Sequence, residues 1–155
     1  MGRKAVSAVL GGVLALFVPT HAAGMLQADV ATLRIYTGSS AEIRTSGTEG
    51  GRSKTRLCVA STSGRYRLTI ASRSGSMTGP GQLSYTILFR DGTGAEQSAT
   101  ARDLPVVHFD GASPGAIDCR SGPNAEIEIR IDKANVLSGV AGDYFDQLNL
   151  TVSPL

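Results

Sequence analysis

Residues 139–154 read GVAGDYFDQLNLTVSP, and from Tyr144 onward the run has a period of two. Tyr144, Asp146, Leu148, Leu150 and Val152 alternate with Phe145, Gln147, Asn149, Thr151 and Ser153, which predicts a half-buried β-strand. Full burial of Leu148, Leu150 and Val152 would contribute on the order of 5 to 8 kcal/mol as an upper bound, comparable to the net stability of a small domain. A strand with that much to bury needs a sheet to enter. Just ahead of it, Gly142 and Tyr144 stand two apart, where the chain passes from one sheet edge to another. A tyrosine at such a corner bonds its hydroxyl to nearby backbone in a tyrosine corner of the Greek-key type; it also reads as an ordinary core aromatic at a strand start.

Working outward, other stretches show the same alternation. Ala31, Leu33 and Ile35 predict a short first strand, and residues 54–60 and 65–71 predict a hairpin across STSG. Leu83, Tyr85, Ile87 and Phe89 predict an interior strand ended by Asp91-Gly92, a hairpin turn signal. A polar strand follows at 95–99, then LPVVHF at 104–109, where Pro105 marks an edge. Ala125, Ile127, Ile129 and Ile131 alternate with Glu126, Glu128 and Arg130. Residues 37–51 read as loop with a small strand at 41–44, residues 72–81 read as turns, and 134–137 can hold one helical turn at most. The pattern predicts an all-β, immunoglobulin-like Greek-key β-sandwich of eight or nine strands.

Residues 1–24 have the form of a signal peptide: Arg3 and Lys4, an apolar run from Ala5 to Val18, then small residues at Thr20, Ala22, Ala23 and Gly24. The chain is therefore expected to be exported, with 25–155 as one domain and no membrane anchor. In an oxidising compartment Cys58 and Cys119 are expected to form a disulfide. Lys and Arg number 15 and Asp and Glu 13; with Arg3 and Lys4 in the leader, the remainder carries 13 of each sign. Basic residues gather before residue 76 and acidic ones after it. That polarity suits head-to-tail association, or strands that interleave opposite charges within one sheet.

The residues point to no catalytic activity, cofactor or metal. His108 with Asp110 has no accompanying nucleophile motif. GGRSKT at 50–55 lacks the glycine before lysine and the strand-to-helix setting of a P-loop, and reads as a plain loop. DGTG at 91–94 lacks the carboxylates of a calcium loop. Asn149-Leu150-Thr151 matches a glycosylation sequon inside the last strand. Balanced charge and few aromatics argue against nucleic acid.

Three segments, LCVASTSGRYRLTIAS around Cys58, GQLSYTILFRDGTGA from Gly81 and AGDYFDQLNLTVSP from Ala141, resemble the spore coat protein U domain family, the secreted pilin-like subunits of chaperone-usher fimbriae. The resemblance implies a sandwich that lacks one strand. A periplasmic pilus chaperone lends that strand, and at the outer-membrane usher a neighbouring pilin subunit replaces it, building a fimbria for adhesion or biofilm. It implies a donor strand with Ala31, Leu33 and Ile35 entering the neighbour's groove, and a final strand, Gly142, Tyr144, Leu148, Leu150 and Val152, that borders the groove. The short segment before Tyr36 and the late Cys119 set the chain apart from a major subunit and leave a minor or tip subunit as the closer match. The alternative is a free-standing secreted or periplasmic immunoglobulin-like binding domain.

Overall fold

The computed structural model describes residues 29–36, 50–101, 105–116 and 118–155. The leader expected at 1–24 and the small strand expected at 41–44 lie outside the described residues. Ten strands and one short helix follow one another: β1 (Ala31–Ile35), β2 (Gly51–Ser61), β3 (Arg65–Ser72), β4 (Met77–Thr78), β5 (Gln82–Leu83), β6 (Thr86–Arg90), β7 (Glu96–Thr100), β8 (Val106–Ala112), β9 (Ala125–Ile131), α1 (Lys133–Ser138) and β10 (Leu148–Pro154). They form an all-β sandwich. One antiparallel sheet has the order β1-β2-β9-β6-β7, the other β10-β3-β8, with β4 and β5 as a small separate ladder.

The alternation seen in the sequence selects the inward face of each strand. Leu57 and Val59 of β2, Ile87 and Phe89 of β6, and Ala125, Ile127 and Ile131 of β9 meet Tyr66, Leu68 and Ile70 of β3 and Val107 and Phe109 of β8 in one core. Phe89 lies at its centre, edge-on to Tyr66 at 6.3 Å and tilted against Phe109 at 5.5 Å between ring centroids. Such aromatic pairs add to the stabilisation from area burial alone.

Several expectations are corrected. β2 and β3 do not pair as a hairpin: β2 pairs with β1 and β9, and β3 with β10 and β8. Both strands point apolar residues into the same core from opposite sheets, so Thr62–Gly64 is an arch between layers, with Gly64 at φ +73°. The GGRSKT stretch is not a loop, because Gly51–Thr55 already pairs with Ile131–Ile127 of β9. The interior strand expected from Leu83 is interrupted at Ser84 and Tyr85, although Leu83 and Tyr85 are buried as their parity requires. The helix spans six residues rather than one turn. The final strand begins at Leu148, not Tyr144; the segment before it is tied down by side chains and by an isolated bridge between Phe145 and Thr78.

Opposite charges interleave across the outer face of the larger sheet. Arg56 lies opposite Glu126, Glu126 opposite Arg90, and Arg90 opposite Glu96. Lys54 reaches Glu126 at 2.8 Å and Glu128 at 3.4 Å, and Arg130 bonds Glu128 at 2.6 Å. Lys54 and Arg56 from the basic part of the chain thus lie against Glu126 and Glu128 from the acidic part within this sheet. On the same face Cys58 and Cys119 are joined by a disulfide across 61 residues of sequence. Closing a loop of that length stabilises by about 4 kcal/mol in the chain-entropy model.

Candidate functional site: the open edge of the last strand

Among the described residues β10 is hydrogen-bonded along one side only, to β3, in the register Leu148↔Ser72 to Pro154↔Tyr66. Its other side faces β1, close enough for Cα atoms to come within 8 Å, but no ladder joins the two strands. The sandwich is therefore open along this seam. The inward residues Leu148, Leu150 and Val152 are only partly buried, whereas Ile70 and Leu68, directly opposite Leu150 and Val152 on β3, are 1% and 0% exposed. The three β10 residues fall short of the full burial taken as an upper bound, because no described residue pairs with the free side of this strand.

β1, on the other side of the seam, is seated in its own sheet. Ala31↔Ser61 to Ile35↔Leu57 pair it with β2, Val30 N–H donates to Thr62 Oγ1, and the Tyr36 hydroxyl donates to Cys119 O at 2.6 Å. Its grip on the core is slight. Ala31 and Leu33 are half-buried and Ile35 is 46% exposed.

The entrance to β10 is built around a carboxylate that sequence reasoning passed over. Asp146 accepts hydrogen bonds from Ser72 Oγ at 2.5 Å, Tyr85 Oη at 2.6 Å, Ser74 Oγ at 2.9 Å and its neighbour's Gln147 N–H at 2.7 Å. Burial pushes this carboxyl's pKa up, but the donated hydrogen bonds outweigh that and hold it below the ordinary carboxylate range. Burial, with Asp146 second, pushes the Tyr85 hydroxyl up, so it stays protonated and donating. The signal was present: Asp146 shares parity with Leu148, Leu150 and Val152, and a carboxylate on an inward face must be met by donors.

Tyr144, upstream of this hub, donates its hydroxyl to Val140 O at 2.7 Å, a side-chain bond to backbone four residues back. Gly142 has φ +152°, and a Cβ there would collide with the Pro80 ring, so this corner admits only glycine.

Elsewhere, polar residues serve structure. Asp110 is held by Arg67 through two bonds of 2.6 and 2.9 Å, and His108 Nδ1 lies 3.0 Å from Thr69 Oγ1, so the two are not joined to each other. In DGTG, the Asp91 carboxylate accepts from Thr93 N–H and Oγ1, Ala95 N–H and Ala112 N–H, which closes the β6–β7 turn and ties it to the end of β8. Asn149 is exposed on the outer face of β10. Among the described residues no helix is long and apolar enough to cross a membrane, and no group of His, Cys, Asp and Glu side chains has the arrangement of a metal site.

No protein-family model and no curated protein matches the sequence. Among solved structures, the chain is similar to one from work described as "Chaperone-tip adhesin complex is vital for synergistic activation of CFA/I fimbriae biogenesis". The TM-score is 0.46 at 14% identity, over 81% of this chain and 41% of that one. The chain thus spans about two fifths of that protein's length. A likeness this distant does not carry function from that chain to this one.

Proposed function

We propose that this chain is an exported structural subunit, minor or at the tip, of a surface fimbria, joined to its neighbours by addition of a strand along the free side of β10. The observation that supports it is the only partly buried inward face of Leu148, Leu150 and Val152 beside a row of backbone groups that no ladder joins among the described residues. An incoming strand with alternate apolar residues would complete the ladder and cover that face together. A periplasmic chaperone would supply such a strand first and a neighbouring subunit afterwards, at an outer-membrane usher. Ala31, Leu33 and Ile35 fit the donor pattern, but they are seated on β2 in their own chain. Donation therefore requires β1 to leave β2, at the cost of its ladder and of the packing of Leu33 on the core.

The seating of β1 favours a second reading, a free-standing secreted or periplasmic binding domain whose first strand is internal. Two tagged populations of the full chain, unfolded and refolded together with a fimbrial chaperone, separate the two. Strand exchange gives mixed, detergent-resistant oligomers that Leu33→Asp abolishes. If the mixture stays monomeric under every refolding condition, the assembly reading fails and the free-standing domain stands.

A further inference from the structure

The disulfide holds more than β2. Cys58 belongs to the outer face of the larger sheet, directly opposite Arg34 of β1, yet it is 1% exposed. What covers it is a strap, residues 118–124, that leads from β8 towards β9, brings Cys119 onto Cys58 and sets Asp118 O 4.0 Å from Cys58 Sγ.

The strap is fastened unevenly. At its far end the Asn124 carboxamide accepts from Val59 N–H and donates to Val59 O, both at 2.8 Å, and the Asn124 N–H donates to Leu57 O. Ahead of that clasp, Arg120 bonds within the strap itself, through its N–H to Asp118 Oδ1 at 3.0 Å and through Nε to Asp118 Oδ2 at 3.2 Å. Among the described residues, two links join 118–122 to the rest of the chain: the disulfide, and a hydrogen bond of 2.6 Å from the Tyr36 hydroxyl to Cys119 O.

The exposed end of β1 depends on that second link. Ile35 is 46% exposed, so the core holds this end weakly, and beyond it the Tyr36 N–H donates to Arg56 O at 3.0 Å. The Arg34 guanidinium lies 5.5 Å from the centre of the Tyr36 ring, and the hydroxyl of that ring is bonded to the carbonyl of the same residue whose sulfur is bridged. The opposite end of β1 has an anchor of its own, since Val30 N–H donates to Thr62 Oγ1 and Thr62 N–H to Val30 O.

We infer that the Cys58–Cys119 disulfide is a redox latch on β1. While it is intact, it holds the Cys119 carbonyl where the Tyr36 hydroxyl reaches it. The opening reagent is a dithiol. Its thiolate attacks Cys119 Sγ, the less buried of the two sulfurs; the S–S bond breaks and Cys58 leaves as a thiolate. The second sulfur of the dithiol, as thiolate, then displaces Cys119 from the mixed disulfide. Both protein sulfurs end as thiols with the two protons the reductant has lost, and the reductant ends as a disulfide. With that bond gone, 118–122 swings from its Asn124 clasp, the carbonyl leaves Tyr36, and the exposed end of β1 is free to part from β2. The oxidised chain keeps β1 for itself and the reduced chain releases it, whether or not another subunit then takes it.

Amide hydrogen exchange of the ¹⁵N-labelled full chain tests the latch in four states, oxidised and dithiothreitol-reduced, each with and without Tyr36→Phe. In the oxidised chain Tyr36→Phe is expected to speed exchange at 34–36 about fivefold, the size of one lost hydrogen bond, with β3, β6 and β9 unchanged. Reduction is expected to keep the dispersed spectrum of a folded chain, to give 34–36 at least the same rise, and to leave Tyr36→Phe nothing further to remove. By reciprocity, the Tyr36→Phe chain is expected to be reduced about fivefold more readily at equilibrium with dithiothreitol. The inference is overturned if Tyr36→Phe keeps its full effect in the reduced chain, or if reduction leaves exchange at 34–36 as it was. It is overturned as well if the reduced chain unfolds as a whole, which would make the disulfide a global staple. Failure to form mixed oligomers bears on assembly alone and leaves all four states readable.

Discussion

At the scale of single residues, Asp146 gathers four donated hydrogen bonds just ahead of the last strand. It is a carboxylate on an inward face, and the hydroxyls of Ser72, Ser74 and Tyr85 converge on it from two other parts of the chain. Asp146→Ala removes the acceptor and leaves the Tyr85 hydroxyl, on a residue 2% exposed, without a partner, so a loss of about 3 kcal/mol is expected in urea unfolding. Tyr85→Phe takes away one donor of several and is expected to cost only about 1 kcal/mol. Equal losses for the two would show that Asp146 is not a hub. Tyr66 is the opposite case. Its hydroxyl is buried without a hydrogen-bond partner among the described residues, against the backbone of Gly111. Burial pushes its pKa well up, so it is a neutral, unsatisfied donor. Tyr66→Phe keeps the ring contact with Phe89 and removes the unpaired group, and is expected to raise stability by about 1 kcal/mol; a loss of that size would show that the hydroxyl has a partner in solution.

At the scale of elements, the contrast between β3 and β10 can be measured directly. The two strands are register partners with the same alternation, yet Ile70 is sealed and Leu150 only partly buried. Ile70→Ala is expected to cost about 4 kcal/mol and Leu150→Ala about 1.5 kcal/mol in the isolated chain, because the smaller change in buried area leaves less of a cavity. Binding of a strand along β10 would bring the cost of Leu150→Ala up towards that of Ile70→Ala, since the added strand completes the burial. Equal costs in the isolated chain would mean that the seam is already closed.

At the scale of the whole molecule, acid is the condition that separates folded from unfolded chains. Among the described residues four carboxyls are held below their ordinary range in the fold. Glu128 is held there by the hydrogen bond from Arg130 and then that from Lys54, and Asp110 by Arg67. For Asp91 and Asp146, burial pushes the other way and donated hydrogen bonds overcome it. Groups with depressed folded pKa values bind more protons when unfolded. Their contribution is therefore fully present above about pH 5 and is lost as pH falls through the ordinary carboxylate range towards the folded values. The thermal midpoint is expected to hold steady from pH 7 to about pH 5 and to fall below it, with a shallower fall in Glu128→Gln. A midpoint that rises on acidification would contradict this.

The sequence alone determined the layered β architecture and which residues face inward, because a two-residue period has only two phases and burial selects one. It was enough to give Leu83, Tyr85, Ile87 and Phe89, and Ala125, Ile127 and Ile131, their inward parity, and to expect opposite charges interleaved across a sheet without naming which pairs. Parity says nothing about which strand lies next to which. For that reason the β2–β3 arch was read as a hairpin, and the charged start of β2 as a loop. Only the tertiary structure decided that β10 keeps one bare side, that β1 is seated on β2, and that Ser72, Ser74 and Tyr85 meet at Asp146. The contacts at Asp146 join residues 61 to 74 positions apart, and β1 meets β2 across a gap in sequence too. Local propensity cannot encode them, because they exist only once two sheets have closed over a common core.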